Sequence, residues 1–149
     1  MKVSVIMGSS SDQKIADKVV EKLNYFGIEH EVRVISAHRA HNVLVDYVRN
    51  SEASVFIAIA GKAAHLAGVI AGLSIKPVIG IPVKSSTMDG LDSLLSTVQM
   101  PKGVPVATVA IDGGENAAIL AVQMLAICDD SLKEKLEEFK TEQEKESVK

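Results

Sequence analysis

One four-residue segment combines side chains that could carry out acid–base chemistry on an anionic substrate. Ser36-Ala37-His38-Arg39 brings together a hydroxyl, an imidazole and a guanidinium. An imidazole exchanges a proton near neutral pH, and a guanidinium can hold a phosphate or carboxylate through two N–H groups. The segment therefore predicts proton transfer by His38 and anion binding by Arg39. The alternative is that Ser36 caps a turn and the other side chains are merely exposed.

A second candidate segment, Gly8-Ser9-Ser10-Ser11-Asp12, suits an anion in a different way. It offers a glycine turn, three hydroxyls and free backbone N–H groups at the start of a helix. It lacks the lysine of a P-loop and the three spaced glycines of a dinucleotide fingerprint. Phosphate binding is one interpretation, and helix capping by Ser11 or Asp12 is the other.

His65 is the only polar side chain of any size in the apolar stretch Ala63–Leu73. It could be a hydrogen-bonded core residue, or it could face the strand ends from the first turn of a helix, and both interpretations stay open. No histidine pairs with a carboxylate at a helical metal-ligand spacing, and a single cysteine, Cys128, leaves no cysteine cluster. We therefore predict no metal site.

The elements that must position these residues alternate between strands and helices. This alternation predicts an α/β fold with a parallel sheet covered by helices on both faces. Ligands of such sheets bind beyond the carboxyl ends of the strands, where both candidate segments lie. The predicted strands are Lys2–Met7, Glu29–Ile35, Ser54–Ala60, Val78–Val83 and Val104–Ile111. The predicted helices run through Ile15–Phe26, Val43–Val48, Ala63–Leu73, Leu91–Val98 and Glu115–Cys128.

Length and composition indicate one folded domain. The 149 residues match the usual length of a single domain, and 47% hydrophobic residues exclude a disordered chain. We predict one α/β domain over residues 1–130 and a helical tail over 131–149. The tail is either a solvated amphipathic helix or a helix that packs on a neighbouring subunit.

Charge and aromatic content exclude other classes of partner. A net charge of −3, with two Tyr, three Phe and no Trp, argues against nucleic-acid binding. No apolar run reaches the roughly 18 residues that a membrane span needs. The single cysteine fits a reducing, cytoplasmic setting. Residues 53–128 carry only eight charged side chains in 76 positions, so we predict that part of this surface meets other subunits of a homo-oligomer.

Five motifs occur in order along the chain: Met7–Asp12, Ser36–Arg39, Ala63–Leu66, Gly80–Ser85 and Gly90–Ile111. Taken together, they resemble one family, the N5-carboxyaminoimidazole ribonucleotide mutases of purine biosynthesis. The likeness spans about residues 2–128, and it is specific because the motifs occur in the right order and spacing.

The resemblance implies a flavodoxin-like, three-layer α/β/α fold and a homo-octamer whose sites lie between subunits. It implies an isomerase without a metal or organic cofactor. The substrate is an aminoimidazole ribonucleotide that bears a carbamate, and the carboxylate moves from the exocyclic nitrogen to ring carbon C4. Carbon dioxide released on the way must be retained in a dry, apolar pocket.

Residue roles follow from the resemblance position by position. His38 matches the histidine that moves the proton leaving C4, and Arg39 is expected at the phosphate. Asp12 is expected at the ribose hydroxyls or in its own loop. The remaining expected substrate-binding residues are Ser9, Ser11, Ser36, Ala64 and His65. The expected walls of the carbon dioxide pocket are Ala60, Gly61, Ala63, Ala64 and Leu66.

Three departures from the mutase pattern keep alternatives open. Most mutases have glycine at the position of Lys62, proline at that of Ala67, and Thr-Pro where this chain has Ala40-His41. A related branch, which carboxylates aminoimidazole ribonucleotide directly with carbon dioxide, has a basic residue at the Lys62 position. A third possibility is a nucleotide- or phosphate-binding module without catalysis, since one fold hosts many functions.

Overall fold

The computed structural model describes residues 1–148 and contains one five-stranded parallel sheet with the strand order β2-β1-β3-β4-β5. The strands are β1 Lys2–Met7, β2 Glu29–Val34, β3 Val55–Ala60, β4 Val78–Pro82 and β5 Ala107–Thr108. The α-helices are α1 Gln13–Phe26, α2 His41–Asn50, α3 Leu66–Leu73, α4 Leu91–Val98, α5 Gly114–Ala126 and α6 Asp130–Ser147. This arrangement is the predicted flavodoxin-like α/β fold.

Helices cover both faces of the sheet because the strands bury side chains on both sides. Val3, Val5 and Met7 of β1 belong to the core beneath α1 and α5, whereas Ile6 packs in the core beneath α2 and α3. α4 lies on the same face as α3. At Gly80 of β4 a Cβ atom would collide with a side chain of α4, so only glycine allows this close approach.

The order of the strands fixes where a ligand can enter. The chain runs from the central β1 outward to β2, then crosses back to β3 on the other side of β1. Helices therefore leave the ends of β1 and β3 toward opposite faces, which opens a crevice between them. The loops that follow β1, β2 and β3 all reach the carboxyl edge of the sheet at this crevice.

Two elements differ most from the predicted bounds, and both are shorter than the sequence predicts. The strand predicted over Val104–Ile111 has regular pairing only at Ala107–Thr108, because Pro105 has no N–H to donate and a turn precedes it. The helix predicted from Ala63 begins at Leu66, because the N–H of His65 bonds to the Ala63 carbonyl in a tight turn. This turn sets His65 at the N-cap position.

The tail forms α6, which packs against its own chain. Leu132 and Phe139 are buried, and the Phe139 ring lies edge-on to Phe26 with the ring centroids 5.5 Å apart. The Tyr25 hydroxyl also donates to Glu142 across a 2.9 Å hydrogen bond. The apolar side of the amphipathic tail therefore covers α1 and α5, and its charged side faces outward. The division at residue 130 stays a prediction, and Lys149 lies outside the described residues.

None of the helices within residues 1–148 combines the length and the hydropathy that crossing a membrane would require.

Candidate active site

A cavity of about 530 Å³ opens at the carboxyl ends of β1, β3 and β4. Loops that follow four of the strands contribute to its walls, as expected for the crevice of a parallel sheet. Most of the predicted site residues border it. The lining residues are Gly8, Ser9, Ser11, Asp12, Ser36, Ala37, His38, Arg39, Ala60, Gly61, Lys62, Ala63, Leu66, Val83, Lys84, Ser85 and Ser86.

The loop after β1 forms a hydroxyl-rich wall. The Ser9 side chain accepts hydrogen bonds from the Ser11 backbone N–H at 3.3 Å and from the Ser11 hydroxyl at 3.0 Å. Ser9 is thus the cap of this turn, and the Asp12 side chain makes no capping bond. Asp12 does occupy the N-cap position of α1, as the capping interpretation expects, but it makes no capping hydrogen bond, and Ser11 is not a cap. Both side chains border the cavity.

Asp12 is the buried carboxyl of the cavity, with 8% of its surface exposed. Burial raises its pKa above the ordinary aspartate value, and the negative charge of Asp112 adds to the rise. A hydrogen bond from the Ser11 hydroxyl, 3.4 Å long, acts in the opposite direction. The oxygens of this buried carboxyl can accept hydrogen bonds from hydroxyl groups of a ligand.

The loop after β2 carries the acid–base group and a cation. The Ser36 hydroxyl accepts from the Arg39 backbone N–H at 3.2 Å and from Arg39 Nε at 3.3 Å. Ser36 therefore caps this turn, and the side chains of His38 and Arg39 nevertheless border the cavity. Among the described residues, the terminal nitrogens of the Arg39 guanidinium have no hydrogen-bond partner, so they can receive an anion.

His38 and His65 lie in direct contact, although they are 27 residues apart in the chain. His38 Nε2 and His65 Nδ1 are 2.9 Å apart, and the two rings meet edge-on with their centroids 5.0 Å apart. One of these two nitrogens donates a hydrogen bond and the other accepts it, so the contact couples the tautomers of the two rings. His65 is exposed, which excludes the interpretation as a core histidine; it lies behind His38 rather than on the cavity lining.

The far side of the cavity supplies small apolar groups and cations. Ala60, Gly61, Ala63 and Leu66 border it, as the sequence predicts, whereas Ala64 is buried and lies outside the lining. Sequence reasoning did not select Lys62, Lys84, Ser85 and Ser86 as site residues. The rule that ligands bind at strand ends points to their loops, but it does not select individual side chains.

Cations outnumber carboxylates around the cavity. Arg39, Lys62 and Lys84 border it, and Asp12 is the one carboxylate among the lining residues. The Lys84 ammonium lies 3.6 Å from an exposed carboxylate of Asp89. No group of three His, Cys, Asp or Glu side chains within residues 1–148 is arranged to hold a metal ion. The arrangement suits a small ligand that carries more than one negative charge.

Known proteins are similar to this chain in both sequence and fold. A family model described as AIR carboxylase matches residues 2–146. The N5-carboxyaminoimidazole ribonucleotide mutase of Methanocaldococcus jannaschii is 57% identical over 143 residues, covering 96% of this chain and 90% of that protein. The chloroplastic phosphoribosylaminoimidazole carboxylase of Vigna aconitifolia is 48% identical over 96% of this chain, but this match covers only 26% of that protein.

A solved structure gives the same result in three dimensions. The crystal structure of Treponema denticola PurE superimposes with a TM-score of 0.90 and 29% identity, over 99% of this chain and 94% of that one. Its agreement over nearly the whole length includes the strand ends that form the cavity. With a family match across residues 2–146 and a relative at 57% identity, the chain belongs to the AIR carboxylase family.

Proposed function

We propose that this protein is an N5-carboxyaminoimidazole ribonucleotide mutase, an isomerase of purine biosynthesis. The observation that carries the proposal is one cavity that brings together His38, Arg39, Ser9 and Asp12 in a chain 57% identical to a protein of that name. The substrate is a ribonucleotide with a phosphate at one end and a carbamate at the other. Both ends are anionic, which agrees with the cationic lining.

The reaction needs one group that both gives and takes a proton. Protonation of the carbamate nitrogen lets the N–C bond break and release carbon dioxide. Ring carbon C4, made electron-rich by the amino group, then attacks carbon dioxide, and the proton on C4 must leave. His38 is the imidazole on the cavity wall, so it donates the first proton and receives the second. Substrate and product have the same atoms, and no proton is gained or lost overall.

The other walls bind and enclose the substrate. Arg39 holds the phosphate through the terminal guanidinium nitrogens, which have no hydrogen-bond partner among residues 1–148. The Ser9 hydroxyl accepts from Ser11 and donates its own proton to the phosphate, so Ser11 supports this contact. Asp12 accepts from the ribose hydroxyls. Small side chains at Ala60 and Ala63 leave room for carbon dioxide beside His38 and exclude water from it.

We also propose that the protein works as a homo-octamer in the cytoplasm, with each site closed by a neighbouring subunit. Leu91, Leu95 and Val98 form an apolar stripe on α4, and each is between 44% and 46% exposed in the single chain. Ile75 is exposed as well, in the stretch that carries few charges. Apolar stripes of this kind are typical of surfaces buried between subunits.

The direct carboxylase is the second candidate, favoured by Lys62 on the cavity wall. The two activities separate in one assay with purified protein. A mutase converts the carbamate isomer to the C4-carboxylate without ATP and without added bicarbonate. A direct carboxylase starts from the uncarboxylated ribonucleotide, and its rate rises with dissolved carbon dioxide. Absence of turnover on freshly prepared carbamate would exclude the mutase.

A non-catalytic binding module is distinguished by ligand binding rather than by rate. Calorimetry with the C4-carboxylated ribonucleotide measures binding in the native protein and in His38→Asn. The mutase proposal expects binding by both proteins and turnover only by the native one. If both proteins bind this ribonucleotide and the native protein turns over neither the carbamate isomer nor the uncarboxylated ribonucleotide, the result supports the binding module.

A further inference from the structure

Asp112 occupies an unusual position just behind the cavity. Its φ is +58°, and among the described residues only Asp89 is also a non-glycine residue with positive φ. Its backbone N–H bonds to the Pro82 carbonyl at 2.9 Å, where β4 ends. Its side-chain Oδ1 accepts the backbone N–H of Lys84 at 2.9 Å. Asp112, which lies two residues before α5 begins, thus holds the chain that leaves β4 at two points.

The second of these bonds supports a wall of the cavity. After β4 ends, Val83 still pairs with the Ala60 carbonyl at 3.0 Å, and Lys84 is the next residue along. The Lys84 N–H has the Asp112 carboxylate as its acceptor instead of a strand. Beyond it, Ser85 and Ser86 complete the cavity lining. A charged acceptor makes this hydrogen bond stronger than an ordinary backbone pair.

Asp112 also lies near the opposite flank of the cavity. Its negative charge contributes to the raised pKa of the Asp12 carboxyl. The close approach of α5 to α1 explains this: a Cβ atom at Gly114 would lie 2.8 Å from the Ile15 carbonyl oxygen. Asp112 therefore bonds to the loop after β4 from a position at which α5 packs closely on α1.

We propose that Asp112 is a positioning residue for the reaction of this cavity: its carboxylate fixes the backbone at Lys84 and so holds the Lys84–Ser86 wall against the bound ribonucleotide. The inference rests on the proposed function. Asp112 itself is not on the lining, so it acts through the residues it holds.

Two substitutions separate the hydrogen bond from the backbone conformation. Asp112→Asn keeps an oxygen acceptor and tolerates positive φ. Asp112→Gly removes the acceptor and favours the same backbone conformation, so neither change strains the fold. Asp89→Gly is the matched control for loss of a carboxylate near Lys84, because Asp89 also has a positive φ, and its exposed carboxylate lies 3.6 Å from the Lys84 ammonium and not on the Lys84 backbone.

Steady-state kinetics with the carbamate substrate and hydrogen exchange at the Lys84 amide are measured for all three variants. We expect Asp112→Gly to raise KM about tenfold, with kcat within about twofold of the native value, and to accelerate Lys84 exchange. Asp112→Asn should restore KM to within about twofold of the native value, and Asp89→Gly should not raise KM, because it leaves the Lys84 backbone bond in place. A general loss of stability would instead lower the active fraction and leave KM unaltered.

Equal KM values for Asp112→Gly and the native protein would overturn the proposal, and so would equal defects in the Gly and Asn variants. Failure of the proposed function is a separate result, because it appears as absent turnover in the native protein. In that case binding of the C4-carboxylated ribonucleotide, measured by calorimetry, replaces KM. A native-like affinity of Asp112→Gly would then overturn the positioning role.

Discussion

The two sides of the cavity are built in different ways. On one side, the loops after β1 and β2 are held by hydrogen bonds within each loop, between Ser9 and Ser11 and between Ser36 and Arg39. On the other side, the chain at Lys84 is held by Asp112, 28 residues away. The first side is a set of local motifs, and the second exists only because distant segments meet. Substitutions on the two sides should therefore change different quantities: direct contacts with the substrate on the first side, and the position of the cavity wall on the second.

The largest effect is expected at His38, which belongs to the first side, in the loop after β2. His38→Asn removes the group that moves the proton and keeps a polar side chain of similar reach. Loss of general acid–base catalysis lowers kcat by about 10²–10⁴-fold, with substrate affinity retained. Single-turnover kinetics and calorimetry measure the two quantities separately. Retention of native kcat would remove His38 from the mechanism.

Arg39 tests the first side alone. Arg39→Ala deletes the guanidinium, whose terminal nitrogens have no hydrogen-bond partner within residues 1–148, so KM for the phosphorylated substrate should rise about 10–100-fold. Arg49→Ala, at the exposed end of α2, is the control for loss of one positive charge and should leave KM unchanged. An equal rise in both variants would indicate long-range attraction rather than a specific contact.

His65 tests the contact between the loop after β2 and the loop after β3. His65→Phe removes the 2.9 Å hydrogen bond to His38 while keeping a flat ring, so the His38 imidazole loses its fixed orientation. We expect kcat to fall about tenfold with KM nearly unchanged. His41→Phe serves as the control, since His41 is exposed and lies outside the cavity lining. Native kcat in His65→Phe would contradict a role for the pair.

The smallest effect is expected on stability at Asp12. Its pKa is raised in the folded protein, so the folded state binds a proton more readily than the unfolded chain. The free energy of unfolding therefore falls as pH rises from the ordinary aspartate pKa through the raised value. Asp12→Asn removes this penalty and should stabilise the protein at neutral pH, but not below the ordinary aspartate pKa.

Urea denaturation at pH 7 and at pH 3 measures this difference for Asp12→Asn. Asp17→Asn, on the exposed side of α1, is the control with the same loss of charge. An Asp12→Asn variant that is less stable than the native protein at pH 7 would mean that the carboxylate makes favourable contacts which outweigh its burial.

Most of the fold could be predicted from the sequence, because its signals are local. Apolar runs identify β1 and β3, and helical spacing from Ile15 to Phe26 together with Gly27 identifies α1 and its end, where Gly27 has a φ of +72°. The strand predicted over Val104–Ile111 is wrong in length, because a β-rich run does not show how many of its residues pair with a neighbouring strand. At Ala63 a tight turn delays the helix.

What the sequence determined by itself is the set of residue types at the strand ends: the serines beside Asp12, and the imidazole and guanidinium of His38 and Arg39. These motifs are short and fold locally, so their chemistry is readable along the chain. Only the tertiary structure decided that His65 meets His38, that Lys62 and Lys84 share their cavity, and that Asp112 holds Lys84. Such contacts depend on the parallel sheet bringing distant strand ends to one edge, and no local pattern encodes that distance.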